Sequence, residues 1–284
     1  MSSFKNVFCC RMVMYWLNGV SEKKLSLDGR IFLFGDGFFT TARLRNGQVE
    51  LLDWHLDRLM LAGKRLLFND LDIDSLCQEL KVASEYGKNG VIQIVILRSA
   101  SGETGYSFRK NIEPLRVIYY SSIVKDHKNW HKYGIRLVKS NIRISRNLLL
   151  AGIKHLNRLE YILIRAHWIS NQECADEVLI LDTAGNLIEC CTANIFWRIG
   201  CDVFTPSLVY AGVSGVMRRW ILQLLPQLGY NFHEITTGPE ILKNAEEVFI
   251  SNSLLPLVSV VSIEEHRYID RTLCNLLLSY YTTL

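Results

Sequence analysis

No stretch of this 284-residue chain approaches the roughly 20 consecutive apolar residues needed to cross a bilayer. The opening residues, Met1 to Met14, show no signal-peptide plan, because Arg11 interrupts their apolar run. Eight cysteines are present, yet no two stand as Cys-x-x-Cys and no histidines cluster beside them. That argues against structural zinc and for reduced thiols in a cytoplasm. Charge is also short on one side: a net +4 spread along the chain gives no basic face for nucleic acid, although it suits a small anionic substrate. There is no internal repeat, no low-complexity tract and, with five prolines in all, no proline-rich linker.

What is there reads as an ordinary globular protein of one or two domains, 49% hydrophobic and 21% charged, with ample length for a core. Tyr15 to Val20 predicts a strand turning at Asn18-Gly19, and Ile31 to Phe34 and Phe38 to Leu44 predict strand material around a glycine turn. Asp53 resembles an N-cap, and Leu56, Leu59, Met60, Gly63 and Leu67 recur at helical spacing, so 54–68 is expected as a helix. Helix is expected again over 76–86, from about 156 to 166, over 216–228 and over 268–281. Strands are expected at 91–97, 116–124, 135–145, 178–182, 187–197, 203–205 and 247–251. The polar stretch Lys125-Asp-His-Lys-Asn-Trp-His-Lys132 marks a boundary, giving a smaller α/β domain over 15–124, a linker over 125–133 and a larger domain over 134–284. Strands in runs with helices grouped between them imply an α+β class.

Lys154 is a lone amine after the apolar run Leu148-Leu-Leu-Ala-Gly-Ile, and Glu189 is a lone carboxylate in the strand-like run Leu187 to Trp197. Taken singly, a lysine at a helix start is more often solvated, and a strand glutamate more often faces water. Taken together, an amine desolvated among leucines and an acid on a separate element are what a pyridoxal phosphate site needs. One holds the aldehyde, and the other pairs with the pyridinium nitrogen. Gly215, Val216 and Met217 open a helix whose N–H groups would attract a phosphate, with Ser214 as its cap. Arg58 is either a solvated side chain on the 54–68 helix or a guanidinium for the same phosphate. Ser251-Asn252-Ser253 end a strand as turn formers or as cofactor donors. Arg98 ends another strand, exposed or meeting a substrate carboxylate, and Thr40 and Thr41 follow an aromatic pair in a strand that favours threonine anyway.

In order along the chain, Gly35-Asp-Gly-Phe-Phe-Thr-Thr-Ala-Arg43, His55-Leu-Asp-Arg58-Leu, Ala151-Gly-Ile-Lys-His-Leu-Asn-Arg-Leu-Glu160, Glu189-Cys-Cys-Thr-Ala-Asn-Ile-Phe-Trp197, Gly212-Val-Ser-Gly-Val-Met-Arg218 and Ser251-Asn-Ser-Leu-Leu-Pro256 resemble the fold-type IV pyridoxal phosphate enzymes. That group holds branched-chain aminotransferase, D-amino acid transaminase and aminodeoxychorismate lyase. The match runs from about 15 to 256 and leaves residues 1–14 apart as an N-terminal extension. The resemblance implies a two-domain fold-type IV homodimer and pyridoxal 5′-phosphate as cofactor. It implies Lys154 as the Schiff-base lysine and Glu189 at the ring nitrogen. Around the phosphate it implies Arg58, the backbone at Val216 and Met217, and Asn252-Ser253. The group's aminotransferases usually carry a tyrosine shortly after the lysine, where this chain reads Asn157-Arg158-Leu159, and a glutamate where it has Thr40. Both departures imply the lyase reaction: elimination from aminodeoxychorismate to 4-aminobenzoate and pyruvate, a step of folate synthesis. Lys154, Thr40 or Thr41 would then protonate the leaving group. A transaminase on the same scaffold and a non-catalytic pyridoxal phosphate-binding protein are the alternatives. Related lyases often carry an arginine in the glycine-rich turn that here reads Ser99 to Tyr106, so contact with the substrate carboxylates is expected from elsewhere, with Arg98 as the candidate.

Overall fold

The structure, a computed structural model, describes residues 13–21, 33–68, 71–98, 105–108, 113–122, 127–171 and 175–282. Residues 1–12, the lysine and aspartate that open the expected linker, and most of the Ser99 to Tyr106 turn lie outside them. The chain divides into two compact units, Met1–Lys125 and Asp126–Leu284.

In the first unit the described strands are β1 (Val13–Leu17), β2 (Val20–Ser21), β3 (Gly37–Arg45), β4 (Gln48–Val49), β5 (Gly90–Leu97) and β6 (Leu115–Ser121). They form one antiparallel sheet in the order β2-β1-β6-β5-β3-β4. Two helices follow β4 in sequence, α1 (Leu52–Arg65) and α2 (Ile73–Tyr86). Residues of β3 alternate, with Phe38, Thr40, Ala42 and Leu44 buried and Phe39, Thr41, Arg43 and Arg45 half-buried, because successive side chains of a strand take opposite faces. The turn at Asn18-Gly19 is present, both residues having positive φ. Leu33 and Phe34, expected as strand, are helical. Asp53 is not the N-cap of α1. Leu51 holds that place in the left-handed region, and Asp53 lies in the first turn, where its charge complements the helix dipole. Asp72 does cap α2, accepting from Ser75 N at 2.9 Å.

The second unit begins with a short helix, α3 (Lys128–Tyr133), inside the segment expected as linker. Its strands are β7 (Ile135–Lys139), β8 (Glu177–Leu181), β9 (Leu187–Cys190), β10 (Asn194–Ile199), β11 (Asp202–Pro206), β12 (Asn231–Ile235), β13 (Glu247–Ser251), β14 (Val258–Ile263) and β15 (His266–Arg267). They run β12-β11-β10-β13-β14-β7-β8-β9, with β15 on β14. The helices are α4 (Leu159–Ser170), α5 (Val216–Leu224) and α6 (Thr272–Tyr281). Ile135, Leu137, Leu179, Ile195, Trp197, Val248, Ile250 and Val258 interlock as the main core. The run 187–197, read from sequence as one strand, is two. Cys191 to Ala193 break it, so that β9 pairs with β8 while β10 pairs with β11 and β13. The break puts Glu189 and Asn194 on different strands, which periodicity within one apolar run cannot reveal.

Candidate active site

Glu189 lies within β9, all four of whose residues are buried. Three donors meet its carboxylate. The Tyr161 hydroxyl reaches Oε1 at 2.5 Å, Val213 N reaches Oε2 at 3.1 Å, and Asn194 Nδ2 reaches Oε2 at 3.2 Å. Burial pushes the carboxyl pKa up. The bond from Tyr161, the bond from Val213 and the charges of Arg158 and Lys154 hold it back. The water-facing strand reading of Glu189 is thereby overturned. Tyr161 stays a donor at any working pH, because burial and the neighbouring Glu189 raise its pKa well above the usual range.

The lysine loop is sewn to the segment that serves Glu189. Gly152 N donates to Gly212 O at 2.9 Å, and Ser214 N donates to Gly152 O at 3.0 Å, so Val213 and Gly152 form a parallel bridge. Arg158 then fixes the loop on both sides of Lys154, donating from Nη2 to Ile153 O at 2.6 Å and from Nε to His155 O at 2.9 Å. Lys154 itself is half-buried. Gly212 has φ +88°, and a Cβ there would lie 2.7 Å from Ile188 and Leu208 side chains, so glycine is required where the loop, β9 and this segment meet. A cavity of about 490 Å³ opens beside the loop, lined by His155, Asn157, Arg158, Tyr161, Tyr210 and Gly212 among others.

Helix α5 begins next to the same residues. Gly215 is its N-cap, with no side-chain cap bond, so Ser214 does not cap the helix as expected. The first N–H groups of the helix, at Val216 and Met217, have no intrahelical acceptor, and both residues are buried. A Cβ on Gly215 would fall 2.1 Å from Asn194 Oδ1, so the helix start, Asn194 and Glu189 are packed as one piece. Across the β10–β13 ladder from Asn194 stands Ser251, wholly buried, its hydroxyl without a partner. Such an orphaned group calls for a ligand. Asn252, expected at the cofactor, is engaged elsewhere. Its Nδ2 donates to Thr192 O at 2.9 Å, and its Oδ1 accepts from Leu254 N and Leu255 N, closing a turn. Ser253 makes no hydrogen bond among the described residues.

The acid, the lysine loop, the donor-rich helix start and the orphaned Ser251 hydroxyl fit pyridoxal phosphate, which needs a partner for a ring nitrogen, an amine and a phosphate cradle.

The first unit holds the remaining expected residues. Thr40 is fully buried, accepting from Arg58 Nη2 and contacting His55 Nδ1 at 2.5 Å. Burial, and then the Arg58 charge, lower the His55 pKa to about 3, so the imidazole is neutral. Thr41 points to the opposite, half-buried face of β3. Arg98, expected at a substrate carboxylate, is engaged within the first unit. Its Nε pairs with Asp36 at 2.9 Å and its two Nη groups donate to Leu66 O and Leu67 O at 2.7 and 3.1 Å. Its guanidinium lies 4.0 Å from the Phe68 ring and 4.2 Å from the Phe108 ring. It staples the end of α1 to the end of β5. The residues that sequence reasoning missed are Tyr161, Asn194, Arg158 and Val213. A lone amide in the apolar run after Glu189 was the one available signal for Asn194, whereas Tyr161 had none.

No helix among the described residues is long and apolar enough to cross a membrane. The model of the amino-transferase class IV family matches residues 37–263. An aminodeoxychorismate lyase of Vibrio harveyi is 34% identical over 250 residues, covering 88% of this chain and 91% of the relative. A crystal structure of 4-amino-4-deoxychorismate lyase from Pseudomonas aeruginosa superposes with a TM-score of 0.88 at 31% identity, covering 95% of this chain and 98% of that one. An Escherichia coli branched-chain amino acid aminotransferase shares the fold, with a TM-score of 0.83 at 20% identity over 95% of this chain and 94% of its own. The expected α+β fold-type IV architecture is therefore present, and the chain belongs to the amino-transferase class IV family.

Proposed function

We propose that this chain is a pyridoxal phosphate-dependent aminodeoxychorismate lyase, eliminating pyruvate to leave 4-aminobenzoate. The observation that carries the cofactor reading is the buried Glu189 carboxylate, held by three donors beside the lysine loop. The lyase reading rests on the 34% likeness to the Vibrio harveyi enzyme and on the Asn157-Arg158-Leu159 sequence after the lysine.

When bound, pyridoxal phosphate supplies an aldehyde for an amine and a ring that takes up carbanion electrons. Glu189 holds a proton on the ring nitrogen. The Lys154 amine holds the cofactor and then takes the proton from the amine-bearing carbon of the substrate. Val216 N, Met217 N and Ser253 bind the phosphate, with Arg58 assigned there by the family resemblance; Ser251 Oγ donates from the core side. Asn252 builds the turn that presents Ser253. Of the two threonines, Thr41 is the one left to protonate the departing enolpyruvate oxygen, since the Thr40 hydroxyl is engaged by His55 and Arg58. The exposed apolar residues Leu159, Ile162, Leu163 and Ile169 of α4, with Leu148 and Leu149, support a homodimer. The described cysteines are free, which supports a cytoplasmic setting.

Incubation with aminodeoxychorismate tests the reading: pyruvate and 4-aminobenzoate should appear in equal amounts. An amino acid with a keto acid should exchange no nitrogen. Nitrogen exchange without pyruvate release identifies a transaminase instead. Borohydride reduction and peptide mapping should place the pyridoxyl group on Lys154.

A further inference from the structure

We infer that Tyr161 is a positioning residue for Glu189, fixing which lone pair of the carboxylate is left for a ring N–H. The inference rests on the reading of Glu189 as the partner of the cofactor's ring nitrogen and adds to it a residue that neither the family motifs nor the lysine block singled out.

A carboxylate offers about four lone-pair sites, two on each oxygen. On Glu189, Oε2 takes both the Val213 N–H and the Asn194 amide. Oε1 takes the Tyr161 hydroxyl. Three sites are thus filled from within the protein, and the remaining one lies on Oε1. Without Tyr161 both lone pairs of Oε1 are open, and the carboxylate keeps only the two donors on its other oxygen.

Tyr161 is itself held in place. It sits in the first turn of α4, four residues before Arg165 and three after Arg158, whose guanidinium lies 5.1 Å from the Tyr161 ring centroid. Arg158 is the same side chain that bonds the carbonyls on either side of Lys154. The position of the acid's donor and the shape of the lysine loop are therefore set by neighbouring side chains of one helix start. The Tyr161 ring also lines the cavity of about 490 Å³ beside that loop. A hydroxyl in this place does two things for the pair that Glu189 forms. It favours the ionised form of a carboxyl that burial pushes toward neutrality, and it stops the group from turning away from the ring. Both effects favour an anion opposite a protonated ring nitrogen, and neither helps when that nitrogen is missing.

The test compares pyridoxal phosphate with 1-deazapyridoxal phosphate, in which a C–H replaces the ring nitrogen, on the wild-type chain and on Tyr161→Phe. Affinities are read by absorbance or fluorescence titration of the cofactor-free protein, and melting temperature reports on folding. Wild type should prefer pyridoxal phosphate. In Tyr161→Phe that preference should shrink by about tenfold, the lower end of what a hydrogen bond to a charged group contributes, with the deaza compound bound as before to within about twofold. An equal loss for both cofactors, or an unchanged preference, makes Tyr161 a packing residue and overturns the inference. A wild type that binds the two cofactors equally well shows instead that Glu189 does not meet the ring nitrogen, and overturns the underlying reading along with it.

Discussion

In the first unit the most deeply buried ionisable group of the polar cluster is His55, and its surroundings take away its charge. In the second it is Glu189, and its surroundings bring donors to a charge. His55 lies on a helix and Glu189 within a strand, yet both lie within reach of an arginine and both are almost fully buried. The difference lies in which groups the fold turns toward them. His55 is desolvated by burial and faces the Arg58 cation, so neutrality is its low-energy state, and its ring nitrogen meets the Thr40 hydroxyl. Glu189 faces a phenol, an amide and a backbone N–H, all donors, with two cations near. An ionisable group that is buried and neutral offers no charge to a partner. One that is buried and supplied with donors is ready to meet a positive partner. The second unit therefore holds a buried acid supplied with donors, whereas the Thr40–His55–Arg58 cluster of the first unit holds a neutral imidazole.

The sharpest way to test that division is Lys154→Ala. Removing the only amine assigned to proton transfer should lower turnover by about 10⁴-fold, the upper range for such a group, while circular dichroism and melting temperature remain close to wild type. Next comes Glu189→Gln. The amide is nearly isosteric, so the fold and cofactor binding should survive, but kcat should fall by about 10²–10³-fold, as for loss of a preorganised charge. Near-normal turnover would reduce Glu189 to a structural residue and erase the contrast with His55. The threonines divide the same way within one strand. Thr41→Val should lower kcat by about 10²-fold, whereas Thr40→Val should lower the melting temperature and leave kcat nearly intact.

Arg58 is the residue on which the two clusters are compared most directly. Arg58→Ala should weaken cofactor affinity by about one to two orders of magnitude, the worth of one charged hydrogen bond, with activity restored by excess cofactor. Unchanged affinity would leave Arg58 as a support of Thr40 alone. The smallest expected effect concerns acid. His55 is neutral in the fold, with a pKa near 3 against 6.5 when unfolded, so the unfolded chain binds the extra proton first. The stability that His55 contributes is complete above pH 6.5 and is lost as pH falls toward 3, by at most about 1.4 kcal/mol per pH unit. Melting temperatures across that window should fall less steeply in His55→Gln than in wild type; parallel curves would mean that His55 titrates normally.

The sequence by itself determined the elements with strong local signals: the longer strands and the two helices of the first unit, strand Glu247–Ser251, and the blocks around Lys154 and Glu189. A lone amine in an apolar stretch and a lone acid in an apolar strand are legible because each breaks its local pattern. Tertiary structure alone decided the rest. That run 187–197 is two strands follows from pairing with partners distant in the chain. Arg98 turned out to be a staple because Asp36 and the end of α1 come to it in space, and Asn252 a turn builder because Thr192 does. Tyr161 carries no mark in the sequence, being one aromatic among others in a helix. Its hydroxyl acquires meaning only when folding places it 2.5 Å from a carboxylate 28 positions away. Hydrogen bonds act over a few ångströms and side-chain patterns over a few residues, so a site assembled from β9, β10, the lysine loop and the start of α4 cannot be read from any one of them.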